Sequence, residues 1–121
     1  MRESKLQAKC LEWLGEHHPR DVLPANIHGG GWSAKGFPDI ICCIRGHFVA
    51  FELKVGDNQM DAAQRIWRTR ILTAGGRHFC PRSLNEFIQA VESVVNRSCG
   101  LEAAKHPRGA ADAPSVGVRE S

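Results

Sequence analysis

The sequence predicts a mixed α/β domain with its elements ordered α-β-β-α-β-α. Three observations point to it. Residues 2–17, 59–74 and 84–95 each repeat apolar residues at helical spacing. Two short apolar runs, PDIICCI and HFVAFELKV, are joined by Arg45-Gly46, which reads as the tight turn of an antiparallel hairpin. A third short run, RHFCP, follows directly on Gly75-Gly76, the kind of pair that ends a helix.

Taken in order, the first helix over 2–17 sets Leu6, Cys10, Trp13 and Leu14 on one face. His18-Pro19 ends it, because proline disfavours the helical conformation in the residue before it. Residues 19–37, PRDVLPANIHGGGWSAKGF, are rich in Gly and Pro and read as one long loop, which in a small domain is usually functional or disordered. PDIICCI is a strand apolar on both faces. In its partner Val49, Phe51, Leu53 and Val55 alternate with Phe48, Ala50, Glu52 and Lys54. Gly56-Asp57-Asn58 supplies a turn and a candidate cap for the helix over 59–74, with Ala63, Ile66, Trp67 and Ile71 inward. Ser83 and Glu86 have capping-box spacing, and Leu84, Phe87, Ile88, Val91 and Val95 form the stripe of the last helix. Beyond about Cys99 no apolar period remains, so residues 1–97 form the domain and 98–121 a disordered tail.

Composition narrows the classes of function. At 121 residues the chain suffices for one domain with a real core. A net charge of +3 permits a polyanionic partner without requiring one. No apolar run reaches the roughly 18 residues of a membrane span, and MRESKLQAKC has no apolar signal core, so an intracellular protein is expected. Five cysteines, an odd number, fit a reduced setting better than a disulfide framework. Without a C-x-x-C pair, and with Cys42 and Cys43 on opposite strand faces, they read as small core residues and not as zinc ligands.

The chemistry concentrates in GFPDIICCIRGHFVAFELK. Charges rarely lie in buried strands unless paired or bound to metal, yet Asp39 opens the first strand and Glu52 and Lys54 close the second. Glu52 and Lys54 project together by strand alternation, and a hairpin brings Asp39 near them. Two adjacent carboxylates repel unless a cation lies between them, and an oxygen-only ligand set suits Mg²⁺ or Mn²⁺. A nearby lysine can orient or deprotonate an attacking water, or stabilise a negatively charged transition state. Alone, Glu52-Leu53-Lys54 reads as a surface ion pair. Gly36-x-Pro38-Asp39 placed ahead of it shifts the reading to phosphodiester hydrolysis.

Together with the helix carrying Gln64 and Trp67, these motifs resemble the VRR-NUC group of the PD-(D/E)XK nucleases, over about Glu3 to Phe87. The resemblance implies a restriction-endonuclease-like core, a mixed central sheet flanked by helices. It also implies Asp39 and Glu52 as metal ligands, the Leu53 carbonyl completing the ligation, and Lys54 as the catalytic lysine. Glu3 matches an acidic position on the family's first helix that helps hold metal; its other reading is a helix-start glutamate. Gln64 matches a site-facing glutamine; its other reading is a surface side chain. In the glycine-rich stretch Lys35 is a candidate phosphate contact and Trp32 a base-stacking or loop-anchoring residue. Arg65, Arg68 and Arg70 form either a DNA-backbone patch or a solvated helix face. The expected activity is a metal-dependent endonuclease acting on DNA. The resemblance to compact phage-type members adds branched substrates such as four-way junctions, and a homodimer. The competing readings are a non-catalytic DNA-binding subunit, disfavoured by the complete Asp39, Glu52 and Lys54 set, and a sequence-specific restriction enzyme, disfavoured by the short chain.

Overall fold

The computed structural model describes residues 2–26 and 35–105, with side chains as far as Arg97. Trp32 and residues 106–121 lie outside the described residues. Along the chain run α1 (Glu3–His17), β1 (Val22–Asn26), β2 (Ile40–Ile44), β3 (His47–Phe51), α2 (Ala62–Thr73), β4 (Arg77–Phe79) and α3 (Leu84–Lys105). The strands form one mixed sheet in the order β1-β2-β3-β4, antiparallel except for the parallel β3–β4 pair.

Leu6, Cys10 and Leu14 recur every four residues along α1 and are all buried. They meet Phe87, Val91, Val94 and Val95 of α3 over the face of the sheet that carries Ile40, Cys42, Ile44, Val49 and Phe51. Phe51 stacks on Phe79 and tilts against Phe87, which ties β3, β4 and α3 into one aromatic centre. Helix α2 lies against the opposite face, where Ala50 is fully buried. From Val49 to Phe51 both faces of β3 are covered, which accounts for the apolar run there, while Phe48 stays half-exposed. Arg45 (φ 49°) and Gly46 (φ 89°) make the expected two-residue hairpin turn. Cys42 is buried and its neighbour Cys43 exposed, as alternation requires.

Several details depart from the sequence reading. Residues 22–26 are a strand, not part of a long loop. Pro24 hides it, yet β1 is the sheet edge, where proline is tolerated. Val22 at its start donates to the carbonyl of His18 at 3.3 Å. Helix α2 starts at Ala62 because Asp61, not the turn at 56–58, caps it. Ile66, expected inward, is 59% exposed, and Ile71 is the buried residue of that helix. At α3 the Ser83 hydroxyl accepts from Glu86 N–H at 3.1 Å, but the Glu86 carboxylate reaches back to Arg82 N–H at 2.8 Å, one residue before the expected partner. The helix then continues to Lys105, past residue 97.

Candidate active site

The site lies where β2 begins and β3 ends. Asp39 extends the hairpin ladder one residue past β2, its N–H donating to Phe51 O at 3.1 Å. Its carboxylate reaches across to accept the Leu53 N–H at 2.8 Å. Beyond β3 the backbone keeps pairing with the end of β4: Glu52 N–H donates to Phe79 O at 2.9 Å and Lys54 N–H to Pro81 O at 3.3 Å. These bonds hold residues 52–54 straight, so Glu52 and Lys54 stay on one side and Leu53 points into the core. Glu52 is 2% exposed and Lys54 9%, the buried charged residues among those described. Glu52 Oε2 lies 3.9 Å from Lys54 Nζ and accepts from Gln64 Nε2 at 2.8 Å. Glu52 Oε1 is buried and accepts no hydrogen bond from the described residues; when Glu52 carries a proton, its carboxyl bonds to that of Asp39.

Gln64 owes its aim to the start of α2. Asp61 accepts the Gln64 N–H at 2.9 Å, and Gln64 Oε1 accepts the Asp61 N–H at 2.9 Å, a complete capping box. With the amide oxygen committed to the helix start, the amide nitrogen is left to face Glu52. One side chain therefore caps a helix and orients a carboxylate. Gly36 fixes the same helix start against the Asp39 segment. Its φ is +82°, and a Cβ there would lie 2.5 Å from the backbone carbon of Ala63.

Burial dominates the electrostatics. It pushes the Glu52 carboxyl up to about 8, with the Asp39 charge the next cause and Lys54 opposing. Asp39 is also raised by burial, against the lowering pull of its bond from Leu53 N–H. Two desolvated carboxyls, one lysine and an orphaned oxygen make a set with a deficit of positive charge. An oxygen-seeking divalent cation fits that deficit. Glu3 contributes a third negative field to both carboxyls, but its own oxygen accepts from Asn58 Nδ2 at 3.3 Å. Among the described residues no three His, Cys, Asp or Glu side chains converge as a ready-made cage.

Gln7 escaped the sequence reading, as did the bond of Asn58 to Glu3, since Asn58 reads only as part of a turn and helix cap. Gln7 donates to the Asp39 carbonyl at 3.2 Å. It lies four residues after Glu3, on the same face of α1, and that spacing is the signal that could have found it. Of the candidate DNA contacts, Lys35 is exposed and its carbonyl accepts Trp67 Nε1 at 3.1 Å. Trp67 also meets Phe37 edge-on and carries Arg70 over its ring, 4.3 Å from the centroid. Arg70 is thereby separated from Arg65 and Arg68, which line a groove beside the site. Trp13 packs edge-on against Phe87. Trp13 and Trp67 are thus both engaged within the chain.

No protein-family model matches the chain, and no curated protein matches it either. A solved structure described as a VRR_NUC domain is similar in fold, with a TM-score of 0.59 and 22% identity over 74% of this chain and 94% of that one. The mixed four-stranded sheet flanked by three helices is a restriction-endonuclease-like fold of the kind seen in that domain. The resemblance carried by Gly36-x-Pro38-Asp39 and Glu52-x-Lys54 is therefore met by a resemblance in three dimensions.

Proposed function

We propose that the chain is a divalent-metal-dependent endonuclease that hydrolyses DNA phosphodiester bonds, acting on branched substrates such as four-way junctions as a homodimer. The observation that carries the reading is the buried Glu52 beside the half-buried Asp39, with a Glu52 oxygen that accepts no hydrogen bond from the described residues and Lys54 alongside. Asp39, Glu52 and the Leu53 carbonyl would hold Mg²⁺ or Mn²⁺, with Glu3 adding negative field. When bound, the ion supplies Lewis-acid polarisation of phosphate and water. The residues of the chain do the positioning. Leu53 N–H pins one Asp39 oxygen, Gln64 pins one Glu52 oxygen, and the Lys54 ammonium faces the charge that develops on the phosphate. Lys35 and Arg68 are the outlying phosphate contacts. Branched substrates rest on the sequence resemblance. The dimer rests on the resemblance and on symmetry, since paired nicks in a two-fold junction need two centres.

Gel assays on duplex, flap, single-stranded and four-way DNA, with Mg²⁺, Mn²⁺ or EDTA, test the reading. Junction cleavage that requires the metal and is lost in Glu52→Ala is expected, with most DNA affinity retained. Cleavage in EDTA, or full activity in Glu52→Ala, rejects the mechanism. Light scattering should give about twice the 13.3 kDa chain mass; a monomer leaving unpaired nicks rejects the dimer and the junction role.

A further inference from the structure

Beside the site, a groove of about 260 Å³ is lined by Gln59, Met60, Arg65, Arg68, Cys80 and Arg82. Three of these six side chains are guanidiniums, and none forms an ion pair with a carboxylate among the described residues. Arg65 donates to Met60 O and Arg82 to Gly56 O, whereas Arg68 forms no hydrogen bond among the described residues. Two acids close to the groove in sequence are committed to backbone: Asp61 accepts the N–H of Gln64 and Glu86 that of Arg82. Each guanidinium carries five N–H donors, so most remain available for a ligand. Three like charges around one concavity repel, and an anion seated among them removes that cost.

The groove adjoins the end of the sheet that carries Glu52 and Lys54. Phe79 O and Pro81 O, on either side of Cys80, accept the N–H groups of Glu52 and Lys54. The Cys80 thiol accordingly feels the charges of Glu52, Lys54 and Asp39 as well as Arg82. On the α2 side the groove begins at Arg65, next to Gln64, whose amide is bonded to Glu52.

We infer that this groove is a phosphate subsite, in which Arg65, Arg68 and Arg82 hold a non-scissile phosphate of the cut strand. Planar guanidiniums match phosphate oxygens in pairs, which point-charge lysines do not. The anion chemistry stands on the groove itself, while the identity of the polyanion as DNA rests on the nuclease reading. Anchoring one neighbouring phosphate fixes the direction in which the strand crosses Asp39 and Glu52, so the groove sets which side of the cut is held.

Inorganic pyrophosphate in EDTA is the probe. Calorimetry should detect its binding, and bound pyrophosphate should slow alkylation of Cys80, read by peptide mass mapping. Arg68→Ala should weaken binding on the order of tenfold, as expected for a charge-assisted contact. Arg68 is exposed and hydrogen-bonds to none of the described residues, so that variant folds. Arg70→Ala, outside the groove, should leave pyrophosphate binding unchanged. In a Glu52→Ala background without metal, Arg68→Ala should also lower the slope of log K against log salt for DNA by about 0.7–0.9. Undetectable pyrophosphate binding, unaltered affinity in Arg68→Ala, or an unchanged salt slope overturns the subsite. Loss of pyrophosphate binding in Arg68→Ala from a protein that cleaves no DNA keeps the subsite and discards the nuclease reading.

Discussion

Replacing Glu52 with Gln isolates the electrostatic strain at the site. The carboxyl is raised from 4.5 to about 8 in the folded chain, so the folded state holds a proton that the unfolded state releases. The contribution of Glu52 to folding stability is then greatest below about pH 4.5 and falls as pH rises toward about 8. At about 1.4 kcal/mol per pH unit across that window, the ceiling is about 5 kcal/mol. We expect metal-free protein to lose roughly 2–4 kcal/mol between pH 5 and 8.5, a large part of the 5–15 kcal/mol typical of a domain. The amide introduced by Glu52→Gln would still accept from Gln64 and could donate toward Asp39 as a protonated Glu52 does, so this variant should lose most of the slope. Urea unfolding in EDTA at half-unit pH steps measures it. Millimolar Mg²⁺ should flatten the wild-type curve alone, because an ion that binds only the ionised folded state restores its stability. Parallel pH slopes for wild type and Glu52→Gln would refute the assignment of the strain to Glu52.

The other expectations follow from single contacts. Asp39→Ala and Lys54→Ala should each abolish cleavage in the gel assay while most DNA affinity, read by anisotropy, remains, because phosphate contacts dominate binding. Gln64→Ala removes both an orienting bond and half a capping box, so turnover should fall and α2 should lose about 0.5–1 kcal/mol, read by denaturation. Gly36→Ala forces a left-handed backbone and a Cβ against the Ala63 backbone. It should cost roughly 2–4 kcal/mol and depress activity together with stability, unlike the catalytic variants.

The core was legible where periodicity is strict. Leu6, Cys10 and Leu14, the hairpin turn at Arg45-Gly46, and Phe87, Val91 and Val95 all followed from spacing that burial then met. Ile66 was misread because α2 touches the sheet along a narrow strip, and a helix packed on one side only exposes part of any apolar stripe. The start of α2 was legible in Asp61-x-x-Gln64, but the glycine turn at 56–58 is the louder signal. At the site, strand alternation placed Glu52 and Lys54 together. What alternation could not supply was depth: that Glu52 would be almost fully buried depends on α2 crossing over it. Nor could it join Arg65 and Arg68 to Arg82, since only the fold brings residues from two separate segments to one groove.

Strand β1 leaves one border of the sheet open, and its chemistry limits what can join there. The Arg45 N–H bond to Asp21 O makes Val22–Ile44 a non-hydrogen-bonded pair, so Val22, Pro24 and Asn26 turn their backbone nitrogens away from β2. Val22 spends its N–H on His18, and Pro24 has none to give. Of three positions from which a foreign strand could draw donors, one remains. The border is thereby guarded against runaway strand addition and fibril growth, the hazard of any unpaired strand. A second copy of this chain would find few backbone donors along β1, so extension of the sheet across that edge is disfavoured.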